Sequence, residues 1–575
     1  MFNALFTKTE EYNKLAQALG SPGACALFGV PGAGRALIYA ALAQALGRPL
    51  CIVTPGEAEA TRFAGDLNAL GITAAVFPAR DYVLRPIEGT GREYEYRRLA
   101  VLGDLVGGRL QAVCVPDEGL TQYTTPRAEF CANTRTLHPG DTLPRAELTA
   151  LLYGAGYARR DQVDGPGQFS IRGDIVDIYA PDMKQPARLE FWGDEIDTMH
   201  SFDLATQRRD EPIEKIYVSP AREVLFAQPA EAAALIRSCI KKARGKRRTA
   251  LEACTAADLA QLDGGAMPVD MDKYLTLRYP EPATLLDYFD DPLLILEEPA
   301  SLREAARATA YRRGEEFSAL MEDGALAPGL DKLYTEAGWL WAQAAAHCTL
   351  CAENFARSMP DIPLKAIVNA PAHTLPAWGG EVAALLEDIQ PLCSGGAAVT
   401  VMAGTPRAAA GLAADLRTKG LQVTTDAAAA GTAGLVQVLP WQLSAGCSLP
   451  FARYAVFTAR AFGVSSAQKK KKRSKDALNS LSEITVGDLV VHQSHGIGRY
   501  AGIQRMTVQG VQKDYLRIEY DKKDVLYVPV TQLDLLSRYT APGDSDNVKL
   551  SHLGGTDWAK TRKKVKAATE QMAKE

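Results

Sequence analysis

The 575-residue chain lacks several features that would assign it at once. No apolar run approaches the ~20 residues a bilayer-spanning helix needs. The N-terminus, MFNALFTKTEEYNKL, is amphipathic and acidic in its second turn, without the basic-then-apolar order of an export signal. Charge of one sign is also missing. The formal net charge is −4, so no chain-wide field attracts nucleic acid and any DNA contact must be local. No intact GxxxxGK[ST] occurs, which argues against an ordinary P-loop hydrolase. The ten cysteines are scattered, and only Cys348 and Cys351 form a CxxC. A zinc site needs a second pair or histidines at ligand spacing, and no such partner is evident. We read both thiols as reduced packing residues on a helix through AAAHCTLCAENFA. Reduced thiols and a missing export signal point to the cytoplasm.

What is present is ordinary globular composition, 47% hydrophobic and 23% charged, with length for roughly four domains. The first ~120 residues alternate short apolar runs (ACALFGV, PLCIVT, TAAVFPA, QAVCVP) with helical stretches, as a parallel sheet does. From Gln168 to Phe226 the period changes to two, and RLEFWGDEID adds a strand pair around a Gly-Asp turn. That predicts a small antiparallel unit inserted into the first domain. A basic helical patch (IKKARGKRR) and further helices continue to about Ala356. KAIVNAP, AAVTVMAG, LQVTT, GLVQVLP and YAVFTA predict a second α/β unit over about 362–460. AQKKKKRSKDALNSLS has no apolar period and reads as a tether, with Lys469–Arg473 free to touch DNA weakly. DLVVH, GRYAGIQRMTV, DYLRIEY and DVLYVPV are short strands joined by tight turns, with Leu516, Ile518 and Tyr520 on one side and Tyr515, Arg517 and Glu519 on the other, which implies a small β-barrel. WAKTRKKVKAATEQMAKE then ends without a helix stop signal, so we read the chain as part of something longer.

Gly29, Gly32 and Gly34 stand between a strand and a helix at P-loop spacing. Arg35 and Ala36 replace the lysine and the magnesium-binding hydroxyl of a working loop. Arginine is a planar fork rather than a point charge, and alanine ligates nothing. Glu297 and Glu298, at the end of LLILEEP, stand where the acidic pair of a Walker B strand belongs. The loop is therefore read as a structural relic. Tyr82, Tyr94 and Tyr96 could stack on bases, at about 1–3 kcal/mol each, or simply belong to a loop and helix start. His492 and His495 form an HxxH, but a strand running into a glycine turn does not put both on one face. With no carboxylate near them in sequence, no metal site is expected.

Three blocks together resemble the bacterial transcription-repair coupling factors. The degenerate P-loop resembles the first domain of UvrB. FSIRGDIVDIYAP with RLEFWGDEIDTMHSFD resembles the UvrA-binding module that UvrB shares with these factors. VGDLVVHQSHGIGRYAGIQ with DYLRIEYDKKDVLYVPVTQLDLLSRY looks like their RNA-polymerase-interacting domain, of CarD type. The resemblance covers most of the chain and is weakest over about 245–460. It implies a multidomain α/β plus β fold: a UvrB-like degenerate P-loop domain at 1–125 and 245–350, an inserted UvrA-binding module at 126–244, and a small α/β domain at 351–462. A basic linker (463–484), a CarD-like, Tudor- or SH3-like barrel (485–545) and the start of a helical connection (546–575) would follow.

The family implies that the barrel grips the β subunit of stalled RNA polymerase while the UvrB-like module recruits UvrA. Double-stranded DNA, ATP and magnesium would engage a translocase motor that this chain lacks, leaving these residues without a cofactor of their own. A monomer without membrane contact is expected. By position in the matching motifs, Arg160, Arg172, Glu190 and Phe191 are the UvrA-binding candidates. An Arg172–Asp177 cross-strand pair on a solvated face is the plainer alternative. For polymerase the candidates are Ile503, Arg505, Met506 and Val508, on a strand suited to β-augmentation; Met506 could instead be a core residue. Other readings are a UvrB-type helicase or damage-binding protein, and a CarD-type regulator with extra domains.

Overall fold

The apolar runs of the first 120 residues become strands because each is too short for a stable helix and can be buried on both sides. In the computed structural model they join a seven-stranded parallel sheet. Its order is Leu364–Asn369, Gly23–Phe28, Cys348–Glu353, Leu293–Glu297, Leu50–Thr54, Ala112–Pro116 and Ala74–Val76. Strand alternation divides the core into two layers. Leu293 and Ile295 pack with the helices Gly32–Leu46 and Glu57–Ala69; Leu294 and Leu296 pack on the other face with Leu99 and Leu102 of the helix Glu93–Val106. Burying a Leu or Ile is worth about 1.5–3 kcal/mol, so these layers dominate the stability of the sheet. The structure describes residues 3–84, 92–268, 270–429, 431–459, 486–492, 495–508, 511–529, 536–539 and 550–552. The proposed tether (463–484) and nearly all of 546–575 lie outside the described residues.

Two readings of the sequence change here. Cys348 and Cys351 do not lie on a helix. The helix Trp339–Ala346 ends first, and Cys348–Glu353 is a central strand between Gly23–Phe28 and Leu293–Glu297. Parallel pairing on both edges outweighs the alanine-rich helical pattern. KAIVNAP, read as part of the later α/β unit, pairs with Gly23–Phe28 and so extends the first sheet.

The chain leaves this sheet after Pro116 and returns to it at Leu293. The excursion contains a six-stranded sheet ordered Arg209–Pro212, Glu195–Phe202, Ala187–Trp192, Ile175–Tyr179, Gln168–Arg172 and Ala158–Arg159, antiparallel except for its last pair. Its turns use Gly173 (φ 62) and Gly193 (φ 65), where a side chain would be strained. Phe169, Val176, Ile178, Leu189 and Phe191 pack beneath the helix Arg145–Gly154 through Leu148 and Leu152. The helices Pro229–Lys242, Gly245–Asp263 and Pro299–Glu322 share a separate core around Tyr274 and Leu320.

The second α/β sheet runs His373–Leu375, Gly446–Leu449, Tyr454–Thr458, Ala398–Met402, Val436–Leu439 and Val423–Thr424. It docks directly on the first domain. The Ser444 amide and hydroxyl both donate to the buried Asp66 carboxylate at 2.6 Å, and Phe451 stacks on Phe6.

The last unit is a five-stranded antiparallel sheet ordered Val525–Pro529, Val511–Glu519, Gly496–Val508, Leu489–His492 and Leu536–Arg538. Leu516, Ile518 and Tyr520 are buried on one face, as their alternation predicts. Tyr515 is buried as well, whereas Arg517 and Glu519 pair with each other at 2.8 Å.

Candidate functional site

The glycine loop forms the expected strand–loop–helix, with Gly29 at φ 86. Its inside is occupied by Arg35. That side chain is 2% exposed and turns back under the loop. Its Nε donates to the Val30 carbonyl at 2.7 Å, Nη1 to Glu297 at 2.5 Å, and Nη2 to Glu298 at 2.6 Å and Asn354 at 3.1 Å. The buried Tyr39 hydroxyl donates to the other Glu297 oxygen. Burial opposes the Arg35 charge most strongly, but Glu297, Tyr39 and Glu298 together outweigh it and hold the guanidinium above its ordinary pKa. Glu298 caps the next helix at φ 49, a strained angle for a side-chain residue. Gly34 faces the second α/β unit. A Cβ there would stand 2.9 Å from Val30 and 3.2 Å from Leu449. The loop thus keeps its glycine for close packing, and its cation is matched internally by the two carboxylates. Ala36, fully buried, offers no ligand.

The aromatic candidates separate. Tyr82 is 5% exposed and donates to the Tyr123 and Leu333 carbonyls, so it is a core residue and not a base platform. Tyr94 lies under Arg97, and Tyr96 lies against Gly167. Residues 85–91 lie outside the described residues.

On the inserted sheet, register places Arg172, Asp177, Arg188 and Glu190 on one face. Asp177 is wholly buried. It accepts from Arg172 at 2.7 Å and from both Arg188 donors at 2.7 and 2.9 Å. Arg172 therefore does pair with Asp177, but the carboxylate is not solvated. The pair anchors an arginine that is still about half exposed. Arg160 is exposed on the segment beside Phe169. Glu190 pairs with Arg209. Phe191 belongs elsewhere: it is 5% exposed and part of the core. Its neighbour Trp192, 83% exposed at the hairpin tip, shares the face of Arg172 and Glu190. Strict alternation from Leu189 and Phe191 inward would have pointed Trp192 outward, but the sequence reading passed over it.

Ile503 is half exposed on the strand Gly496–Val508. Gly502 (φ 106) lies at a register shift between Tyr500 and Ile503. Beyond it, Ile503–Val508 pairs with Val511–Leu516, whereas Leu489–His492 reaches only Gly496–Arg499. Among the described residues, this half of the strand is paired along one edge. The side chains of Arg505, Met506 and Val508 lie outside the described residues, so the core alternative for Met506 is not addressed.

The expected separation of the two HxxH side chains is overturned. His492 and His495 do converge, with ring centroids 4.7 Å apart. The strand ends at His492, so alternation does not govern His495. The carboxylate absent from the local sequence is Glu93, the first residue of the helix Glu93–Val106, 3.6 Å from His495 Nε2. Burial and the neighbouring His495 push the His492 pKa down to about 4, against the pull of Glu93, so it is neutral near pH 7.

The face of Arg172, Glu190 and Trp192 and the strand of Ile503 thus lie on different sheets, and Arg35 fills the inside of the glycine loop. Matching domain families agree with this division: residues 136–224 match the UvrB interaction domain and residues 484–540 the CarD-like/TRCF RID domain. The chain is similar to transcription-repair-coupling factors over 87–95% of its residues. The factor of Bacillus subtilis strain 168 is 28% identical over 562 residues, 95% of this chain and 48% of that protein. The factors of Staphylococcus epidermidis RP62A and Staphylococcus aureus MRSA252 are 26% and 25% identical over 515 residues, 87% of this chain and 43% of each. The chain spans about half the length of these relatives.

Proposed function

We propose that the chain couples stalled RNA polymerase to nucleotide excision repair by holding two partners at once. The UvrB interaction domain binds UvrA through Arg160, Arg172 and Glu190, with Trp192 added and Phe191 acting from beneath as core. The RID, read as a small CarD-like barrel, adds the strand Ile503–Val508 to the polymerase β subunit. The parent protein supplies the ATP- and magnesium-dependent translocase that works on double-stranded DNA, in the cytoplasm and as a monomer. The observation that carries this reading is the presence of both interaction domains in one chain. The Arg35–Glu297 pair disfavours a UvrB-type helicase, and the UvrB interaction domain disfavours a stand-alone CarD-type regulator.

Paired pull-downs with purified UvrA and RNA polymerase test it. Arg172→Glu reverses an exposed charge held by Asp177 and should cost at least about 2 kcal/mol of UvrA binding, with polymerase binding unchanged. Met506→Arg should do the reverse. If either variant lost both partners or neither, the division of labour would be wrong.

A further inference from the structure

The cluster of Glu93, His492 and His495 is used by neither partner surface. We propose that these three side chains form a binding site for a divalent transition-metal ion, zinc by preference, that ties the RID sheet to the first α/β domain. The donor atoms, one from each residue, lie within 4.8 Å of one another. A tetrahedral ion with bonds of about 2.0–2.2 Å sets its ligands roughly 3.4 Å apart. The Glu93–His495 separation of 3.6 Å already fits, and the pairs with His492, no more than 4.8 Å apart, would close by small rotations of Glu93 and His495. Two imidazoles and one carboxylate suit zinc or its transition-metal neighbours rather than magnesium or calcium, which prefer oxygen.

The placement supplies a function for the ion. Glu93 opens a helix of the first domain, whereas His492 ends one strand of the RID sheet and His495 directly precedes the next. His492 is 3% exposed, so one ligand is fixed by packing. Glu93 and His495 are each about a quarter exposed, which leaves the fourth position open to water. Bound metal would therefore hold the RID on the body of the chain, and losing it would free that contact. This inference is independent of the UvrA and polymerase reading.

Cobalt(II) titration of the metal-free 575-residue chain tests it. One equivalent should give visible d–d absorption without a thiolate charge-transfer band, and zinc should displace it. Zinc should also raise the melting temperature. His492→Ala removes a buried ring and can unfold the sheet, so the decisive variants are Glu93→Gln and His495→Asn. Each should weaken cobalt and zinc binding at least about tenfold, since even outer-sphere partners of a metal are worth about 10–100-fold, and should abolish the zinc-dependent rise in melting temperature. No saturable binding, a thiolate band, or unchanged affinity in both variants would overturn the proposal and leave a hydrogen-bonded contact without metal.

Discussion

Arg35 shows how a residue can be legible and its role hidden. The sequence reveals a loop without lysine or hydroxyl. It does not reveal that the arginine fills the loop, because Glu297 reaches it only through the order of the sheet. Removing one member of a buried ion pair strands the other, at about 3–5 kcal/mol. Arg35→Ala should therefore lower the melting temperature of the first domain clearly in calorimetry. Restoring the lost chemistry with Arg35→Lys and Ala36→Ser should give no ATP turnover, because Gly34 remains packed against Leu449. Turnover in the double variant would mean that the loop is open. Glu95 makes a pH prediction. Burial opposes its charge, but Arg92, Arg80 and Arg222 prevail and hold its pKa at about 2. A depressed carboxyl stabilises the fold above its unfolded pKa, about 4.3, and loses that contribution as pH falls toward 2. Melting temperature should drop over this window more steeply in the wild type than in Glu95→Gln.

At the scale of elements, alternation is a good guide wherever one face is buried and a poor one where a strand ends. It located the inserted antiparallel strands and the buried face of Leu516 and Ile518. The family-matched Phe191 was placed on the binding surface, although the same alternation turns it inward and Trp192 outward. The two residues should therefore separate. Phe191→Ala should destabilise the module by about 3–5 kcal/mol, as core Phe truncations do. Trp192→Ala should leave its melting temperature unchanged and weaken UvrA binding. Circular dichroism and a binding titration on both variants check this, and a folded Phe191→Ala with normal stability would contradict the assigned core. HxxH was misread for the opposite reason: its strand ends at His492 and its carboxylate neighbour, Glu93, is remote in sequence, so no local pattern could reveal the cluster. Cys348–Glu353 became a strand because two parallel neighbours claimed it, another long-range effect.

At the scale of the molecule, the scaffold joins its units with polar contacts, one buried and one partly exposed. Asp66–Ser444 fixes the second α/β unit, and Glu93–His495 meets the RID. The mixed α/β character, with several sheets, was legible from changes of period along the chain. The contacts between units were not, since each needs two remote segments in place. If these residues contribute binding surfaces rather than a working nucleotide pocket, both partners should bind without nucleotide. The most direct measurement is size-exclusion chromatography with light scattering on the 575-residue chain mixed with RNA polymerase and UvrA in the absence of nucleotide. The account predicts one species containing all three proteins. Mutually exclusive binding, or a complex that forms only when ATP is added, would contradict it.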